Sequence, residues 1–432
     1  MQTHFSVDQL ESPTIREMDA VLRKCVHCGF CLSACPTYSI LGDERDSPRG
    51  RIYLIKDMLE TDGQSLPQVR PHVDKCLSCL ACTSVCPSGV DYGHYVDYAR
   101  AYVDEKAPRP ALDNLIRGLL AKTIPNPRLF RLSLLAGRLG KPFAGLFGKK
   151  LGALLKMAPG RLPSAESLGA PGVYPAMGER VKRVALLAGC AQQVLRPAIN
   201  AATIRLLNRL GCEVVVSASA GCCGALVHHM GRAGEARAFA AANIDAWMLE
   251  VDGAGLDAIV VNASGCGTEV KDYGHLFKDD AAMAEKAAKT SALTKDISEV
   301  LADLAWPSDL PGGNGAAEPV SVAYHDPCSL LHGQKISAGP RALLQAAGFQ
   351  LQEIPGQHFC CGSAGAYNLL QDELASRLKD RRQAAIRKTN ADVLATGNIG
   401  CQVQLQDGLD MPVVHTVELL DWASGGPKPA GL

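Results

Sequence analysis

The chain carries the same pattern of cysteines twice near its amino end. Both copies have the spacing C-x2-C-x2-C-x3-C-P, which bacterial ferredoxins use to bind [4Fe–4S] clusters. The cysteines concerned are Cys25, Cys28, Cys31 and Cys35 in the first copy, and Cys76, Cys79, Cys82 and Cys86 in the second. Three cysteines spaced in this way wrap a short loop around one cluster. The pattern therefore predicts two [4Fe–4S] clusters and a protein that moves electrons one at a time.

The fourth cysteine of each copy is expected to bind the cluster of the other copy, as in two-cluster ferredoxins. The first ligand set, which we call cluster 1, then consists of Cys25, Cys28, Cys31 and Cys86. The second set, cluster 2, consists of Cys76, Cys79, Cys82 and Cys35. Crossed ligation of this kind predicts two clusters held close together in one small domain.

Two structural zinc sites are the alternative interpretation of the two cysteine runs. Zinc sites usually show paired cysteines or mixtures of cysteine and histidine, not two complete four-cysteine runs. His27 lies between two predicted ligands and is expected to be a solvated loop residue, because cysteines already fill the site. Residues 1–15 contain no apolar core of a signal peptide. We therefore expect a cytoplasmic protein with reduced thiols and no disulfides.

Eight further cysteines belong to an internal duplication that begins near residue 181. Each copy reads as a strand ending in Cys, a helix, a second strand, a Cys-Cys-Gly turn, a longer helix, a third strand and a turn with a last Cys. Cys190 and Cys328 are separated by the same number of residues as Cys222 and Cys360. The two sets are Cys190, Cys222, Cys223 and Cys266, and Cys328, Cys360, Cys361 and Cys401.

This alternation of strands and helices predicts two βαβ-type modules with parallel strands. The cysteines fall in loops after strand ends, where open α/β sheets place ligands. Each set of four is therefore expected to converge on one site that holds a further Fe–S cluster or a redox-active thiol pair. Buried free cysteines acting as small apolar residues are the alternative. Cys212, which has no counterpart in the second copy, is expected to be such a residue.

The formal net charge of zero gives no reason to expect a nucleic-acid partner. No apolar run reaches the roughly 18 residues of a membrane span. The predicted fold class is α+β multidomain, a helical two-cluster ferredoxin domain followed by two duplicated α/β Cys-Cys-Gly modules. The expected ranges are 1–106 for the ferredoxin domain, 107–180 for basic amphipathic helices and a linker, 181–305 for the first module and 306–432 for the second.

Residues 107–161 have an unusual charge pattern. The segment contains eleven basic residues and one acidic residue, Asp113, and Leu and Phe residues are interleaved with them. The pattern is typical of short amphipathic helices on an anionic membrane surface. Helices docked on the rest of the chain or on a partner are the alternative. The basic residues are Arg109, Arg117, Lys122, Arg128, Arg131, Arg138, Lys141, Lys149, Lys150, Lys156 and Arg161.

The two ferredoxin runs, the segment from Ser47 to Ile52 and the paired Cys-Cys-Gly modules resemble the iron–sulfur subunit of bacterial glycolate oxidase. The order of modules is also similar to that of subunits of lactate utilisation systems, anaerobic glycerol-3-phosphate dehydrogenase and heterodisulfide reductases. The resemblance implies a partner flavoprotein with FAD that oxidises glycolate to glyoxylate. This chain would pass the electrons through its clusters to a quinone-type acceptor, with peripheral contact at the inner membrane. We find no Gly-rich dinucleotide fingerprint, so we expect no substrate oxidation by this chain alone.

The sequence departs from one related pattern. Cysteine-rich modules of the heterodisulfide reductase type end in C-x-x-C, whereas Ala263 and Asn398 stand at the position of the extra cysteine. A five-cysteine cluster is therefore not expected in either copy, and one, two or no further clusters remain open. The departure favours an electron-transfer subunit over a heterodisulfide-reductase-like thiol enzyme. A subunit of a lactate or glycerol-3-phosphate dehydrogenase complex is the other alternative.

Overall fold

A computed structural model describes residues 1–146, 152, 155, 160, 162–164, 166–304, 306, 320–356 and 359–432. Four of the basic residues noted above, Lys149, Lys150, Lys156 and Arg161, lie outside these ranges. The described residues form a helical amino-terminal part and two α/β modules, each built on its own sheet. The α+β multidomain fold expected from the sequence is confirmed.

The amino-terminal part is a bundle of short helices. Ser12 caps the second helix with its side chain and Pro13 occupies its first turn, which separates the first two helices. The apolar faces of these helices pack around Leu22, Ile55 and Tyr95, which are fully buried. The helices are Val7–Glu11, Pro13–Lys24, Phe30–Ala34, Pro36–Leu41, Pro48–Glu60, Leu66–Asp74, Ala81–Ser84 and Tyr92–Lys106, with a 3-10 turn at Glu44–Asp46.

Two amphipathic helices follow, Ala111–Thr123 and Pro127–Gly140, and a 3-10 turn spans Lys141–Leu146. We call the two helices the basic helix pair. Their outer surface exposes a row of large apolar side chains: Leu112, Leu115, Leu119, Leu129, Leu132, Leu135 and Leu139. Among the helices that the structure describes, none is long and apolar enough to cross a membrane.

The first module is built on a five-stranded sheet of order β1-β3-β2-β4-β5. β2 pairs in parallel with β3 and β4, β4 pairs in parallel with β5, and β1 runs antiparallel to β3. The strands are Gly172–Tyr174 (β1), Lys182–Leu186 (β2), Cys212–Val216 (β3), Ala258–Val261 (β4) and Thr294–Asp296 (β5). The helices are Ala191–Leu195, Ala198–Arg209, Ala225–His229, Ala233–Asp252, Ser264–Lys271, Tyr273–Leu276, Ala284–Leu293 and Ile297–Asp303. Because β1 pairs with β3, we propose that this module begins at Gly172 and not after the expected linker end at residue 180.

The second module repeats this plan with a four-stranded parallel sheet of order β7-β6-β8-β9. Its strands are Ser321–Tyr324 (β6), Gln350–Gln352 (β7), Val393–Thr396 (β8) and Val413–His415 (β9). The helices are Ala338–Ala346, Tyr367–Leu370, Asp372–Ile386, Ile399–Gln406 and Thr416–Ala423, with a π-helical turn at Ser329–Gly333. Parallel strands buried on both faces read as continuous apolar runs, which is why the sequence showed them clearly.

The two modules share one apolar core. Val184 and Val260 of the first sheet and Val322 and Val393 of the second belong to the same cluster of buried residues. The contact is reinforced by Asp421, whose buried carboxylate pairs with Arg205 and Arg209 of the other module. The duplicated modules therefore form one packed unit.

The ferredoxin domain packs against both modules. His94 bridges Asp91 of its own domain and Asp272 of the first module, with nitrogen–oxygen distances of 2.7 and 2.9 Å. The hydroxyl of Tyr367, from the second module, donates to the backbone oxygen of Lys75 at 3.1 Å. The loop that carries the second cysteine run is thus held against the second module.

Candidate iron–sulfur and thiol sites

A cavity lies between the two ferredoxin loops. Its walls include Cys25, Cys28 and Cys31 of the first run and Cys86, the fourth cysteine of the second run. Gly29 has a φ of 87°, a left-handed conformation that glycine adopts without steric cost and that turns the loop around the cavity. The structure brings together all four predicted ligands of cluster 1.

A second cavity is lined by Cys76, Cys79 and Cys82 and by Cys35 of the first run. The two cavities adjoin, because Cys82, Pro48 and Tyr92 line both. Four thiols around each cavity are a donor set that fits a [4Fe–4S] cluster. We therefore propose that these two sets of cysteines hold cluster 1 and cluster 2 with crossed ligation.

Two arginines lie against these cavities. Arg51 is 1% exposed; its Nη1 lies 4.0 Å from the sulfur of Cys35 and its Nε donates to the backbone oxygen of His72 at 2.7 Å. Arg49 lines the cluster 1 cavity and donates to the backbone oxygen of His27 at 3.2 Å. Arg45, in contrast, pairs with Asp43 at the surface. Both cavity arginines carry positive charge that favours negatively charged thiolates nearby.

Burial raises the pKa of several of these thiols. The pKa of Cys31 rises to about 11, and those of Cys79 and Cys82 rise well above their usual range, in each case mainly because burial disfavours the thiolate. Iron binds thiolates, so assembly of the clusters must release these protons. Metal binding and folding of this domain are therefore expected to be coupled.

In the first module the structure brings the four cysteines together. Cys190 follows β2, Cys222 and Cys223 follow β3, and Cys266 lies in the first turn of the helix after β4. Hydrogen bonds between thiols link Cys190 to Cys222, Cys222 to Cys223 and Cys223 to Cys266. The hydrogen bond with Cys222, together with burial, raises the pKa of Cys190. The hydrogen bond with Cys222 lowers the pKa of Cys223, but the hydrogen bond with Cys266 and burial outweigh it and raise that pKa well above its usual range. Such a chain of sulfurs gathers the set into one site.

The second module gathers its set in the same way. Hydrogen bonds link Cys328 to Cys360 and link Cys361 to Cys360 and Cys401. Gly362 has a φ of 86°, and a Cβ added there would lie 2.5 Å from the backbone oxygen of Ala375. Glycine is therefore required after the paired cysteines by both backbone conformation and space.

His325, Asn398 and Arg382 surround the second set, and of these only Arg382 was not singled out from the sequence. A nitrogen of His325 and the sulfurs of Cys361 and Cys401 lie within 4.8 Å of one another. Arg382 donates from Nε to Nδ1 of His325 at 3.0 Å, and Asn398 donates from Nδ2 to the sulfur of Cys401 at 3.5 Å. The segment His325-Asp-Pro-Cys328 differs from Leu187-Ala-Gly-Cys190, and this difference was the one available signal of unequal sites.

The second module also adjoins cluster 2. Cys79 packs against an apolar cluster that contains Cys328 and Cys360 together with Leu77. After burial, the largest influence raising the pKa of Cys79 is Cys360. Cys212, in contrast, is fully buried in the strand core, where the sequence placed it.

A further cavity lies where the ferredoxin domain, the basic helix pair and both modules meet. Cys76 of the cluster 2 set forms part of its wall, and Arg100, Arg117, His229 and Tyr367 contribute polar groups. Burial lowers the pKa of His229. The remaining wall is largely apolar, with contributions from Leu77, Met230, Ala364, Ala366 and Leu370.

Comparisons with known proteins agree with this arrangement. Residues 21–90 match the family described as 4Fe-4S dicluster domain, and residues 184–271 and 322–406 match the family described as Cysteine-rich domain. The chain is 40% identical to the glycolate oxidase iron-sulfur subunit of Escherichia coli (strain K12), over 98% of this chain and 99% of that protein. It is 33% identical to the probable glycolate oxidase iron-sulfur subunit of Bacillus subtilis (strain 168), over 98% and 99%. Lactate utilization protein A of the same strain is 26% identical over 55% of this chain.

Proposed function

The chain belongs to the family of glycolate oxidase iron–sulfur subunits, and from this we propose that it is the electron-transfer subunit of an oxidoreductase complex that oxidises glycolate to glyoxylate. The observation that carries the proposal is the pair of adjoining cavities, each of which is lined by one complete set of four predicted ligands, with Cys82 lining both. [4Fe–4S] clusters bound there supply one-electron transfer. A partner flavoprotein with FAD would take two electrons from the substrate and release them singly to this chain.

The residues of the chain hold and tune the redox sites. The cysteines of the two runs fix two sites side by side, so that an electron moves over a short distance. Arg49 and Arg51 place positive charge beside them, and hydrogen bonds and charge near the sulfurs are among the factors that set cluster potentials. The second Cys-Cys-Gly module offers a further site next to cluster 2.

The acceptor is proposed to be a quinone. The cavity lined by Cys76, Arg100, Arg117 and Tyr367 combines apolar walls with hydrogen-bond donors, as the head group of a quinone requires. Arg117 lies on the inner side of the helix Ala111–Thr123, whose outer side exposes Leu115 and Leu119. One helix diameter, about 10 Å, therefore separates this cavity from an apolar surface.

The basic helix pair is proposed to rest on the membrane from which the quinone comes. Its row of exposed leucines is flanked by exposed Arg128 and Arg138. This combination fits the interface of an anionic lipid bilayer. Arg109 and Arg117 do not contribute, because both are turned inward to Asp74.

The test is reconstitution. The purified iron-loaded chain alone should not reduce an artificial dye with glycolate, and activity should appear when the flavoprotein of the same complex is added. D-Lactate and glycerol 3-phosphate serve as competing substrates in the same assay. Glycolate oxidation by the chain alone would contradict the proposal, and so would a complex that uses only one of the competing substrates.

A further inference from the structure

The two Cys-Cys-Gly modules place their cysteines alike but surround them differently. In the second module Arg382 is only 4% exposed, and its Nε donates to Nδ1 of His325. A guanidinium stays protonated in proteins, so Nδ1 must be the acceptor of this hydrogen bond. The neutral imidazole ring then carries its proton on Nε2.

The position of this proton decides what His325 can do. A histidine that binds a metal offers an unprotonated nitrogen and usually donates a proton from the other one. His325 shows the opposite arrangement, although one of its nitrogens lies within 4.8 Å of the sulfurs of Cys361 and Cys401. With Nδ1 engaged by Arg382, its Nε2–H is suited to donate to sulfur and not to bind iron.

Asn398 is a second donor to the same set of sulfurs. Its Nδ2 lies 3.5 Å from the sulfur of Cys401. Asn398 occupies the position at which a C-x-x-C ending has another cysteine. The chain therefore has a hydrogen-bond donor where that pattern has a further ligand. Arg382 is buried and bonded to His325, so its positive charge lies beside the same set of cysteines.

The first module has no equivalent of these donors. By the internal duplication, Leu187 corresponds to His325 and Ala263 corresponds to Asn398, and neither side chain can donate a hydrogen bond. In this module the sulfur of Cys222 accepts a hydrogen bond from a backbone N–H group, that of Gly224, at 3.4 Å. Cys190 and Cys223 also belong to apolar clusters that, within the described ranges, include no residue of the ferredoxin domain.

We propose that the second Cys-Cys-Gly module, and not the first, holds the Fe–S cluster that accepts electrons from cluster 2, and that His325 and Asn398 are positioning residues that raise its reduction potential through hydrogen bonds to cysteine sulfur. Reduction makes a cluster more negative, so donors aimed at its sulfurs stabilise the reduced form. The electron gained there is the one that cluster 2 loses, and no other reactant is needed. The inference rests on the proposed function and assigns the direction of electron flow within it.

The test compares three variants of the full chain, purified anaerobically: His325→Leu and Asn398→Ala, which copy the first module, and His325→Gln, which keeps an N–H donor. Iron content is measured together with potentiometric titration followed by low-temperature EPR. We expect the wild type to hold about twelve irons, taking four per cluster. His325→Leu and Asn398→Ala should each make reduction of the third cluster about tenfold less favourable, a shift of about 59 mV for one electron. His325→Gln should recover most of this shift.

The controls separate this inference from the proposed function. The signals of clusters 1 and 2 should not move in any variant, and Leu187→Met in the first module should leave every potential unchanged. A wild-type protein with eight irons, or unchanged potentials in both His325→Leu and Asn398→Ala, would overturn the inference while leaving the two-cluster relay intact. Loss of four irons in both His325→Leu and His325→Gln would show that His325 is a ligand. Asn398 is half-buried, so its variant stays informative if the His325 variants fail to fold.

Discussion

Cys79 of the ferredoxin domain and Cys360 of the second Cys-Cys-Gly module lie against the same buried apolar cluster, close enough that Cys360 raises the pKa of the Cys79 thiol. They are far apart along the chain and belong to different domains. Their contact means that the predicted ligands of cluster 2 and the thiols of the second module form one continuous redox region.

Replacement of one predicted ligand should remove one cluster. Cys28→Ser and Cys79→Ser should each lower the iron content by about four atoms and abolish electron flow to an added acceptor, because a serine oxygen is a poor substitute for thiolate at iron. Iron analysis and EPR of anaerobically prepared protein measure this. Cys212→Ala is the matched control, since Cys212 is buried in a strand away from both cavities and should lose only about 1 kcal/mol of stability. Zinc in place of iron in the wild type would contradict the assignment.

Removal of exposed positive charge from the basic helix pair should weaken membrane binding. Arg128→Gln together with Arg138→Gln should reduce binding to anionic vesicles by about 2 kcal/mol at low salt, since each basic residue near such a surface contributes about 1 kcal/mol. High salt should weaken the wild type in the same way. Sedimentation with phosphatidylserine-containing liposomes gives the affinity, and Arg180→Gln, an exposed position on the first module, is the control. Equal binding of the double variant and the control would show that these helices face a protein.

His94 should make stability depend on pH in the alkaline range. Burial alone would lower its pKa, but hydrogen bonds to Asp272 and Asp91 outweigh burial and raise the pKa to about 10. The charged form is favoured in the folded state, so its contribution is complete below the ordinary pKa of about 6.5 and is lost as pH rises towards 10. Urea unfolding should show His94→Gln less stable than wild type by about 1–2 kcal/mol at pH 6, because the bridge is partly exposed and screened. The difference should shrink by pH 10; a constant difference would mean that His94 acts through packing alone.

The contact between the modules should depend on Asp421. Its carboxylate is 1% exposed and pairs with Arg205 and Arg209. Asp421→Asn keeps the shape but leaves two arginines without their anion, which should cost about 3 kcal/mol in the free energy of unfolding. Thermal and urea unfolding report the loss, and Asp410→Asn, at an exposed position, should have little effect. Unchanged stability of Asp421→Asn would show that the apolar core alone holds the modules together.

Local sequence patterns predicted those structural features that depend on only a few neighbouring residues. The cysteine spacing indicated the two ferredoxin loops, and apolar runs indicated β2, β3, β4, β6 and β8 within a few residues. β1, β5 and β9, which lie outside the three strands expected in each copy, were missed because each is too short to show a periodicity of its own. The inward turn of Arg117 was also missed, since its partner Asp74 lies in another helix far earlier in the chain.

The candidate sites also combine features that the sequence indicated with features that it did not. The duplication indicated that four cysteines meet in each module, because strand ends of a parallel sheet share one edge. It did not indicate that the second set meets Cys79, or that Arg382 holds the ring of His325. Both depend on how separate elements pack, and the sequence carries no local signal of that packing.

The core shared by the two modules limits how the protein can be truncated and how each module can change in evolution. Neither half could be expressed alone or deleted without exposing the apolar face that the other half now covers. The first module is therefore a structural necessity for the second even if its sulfurs never carry an electron. A duplicated copy in this position is free to lose or change its chemistry, provided that it keeps its shape.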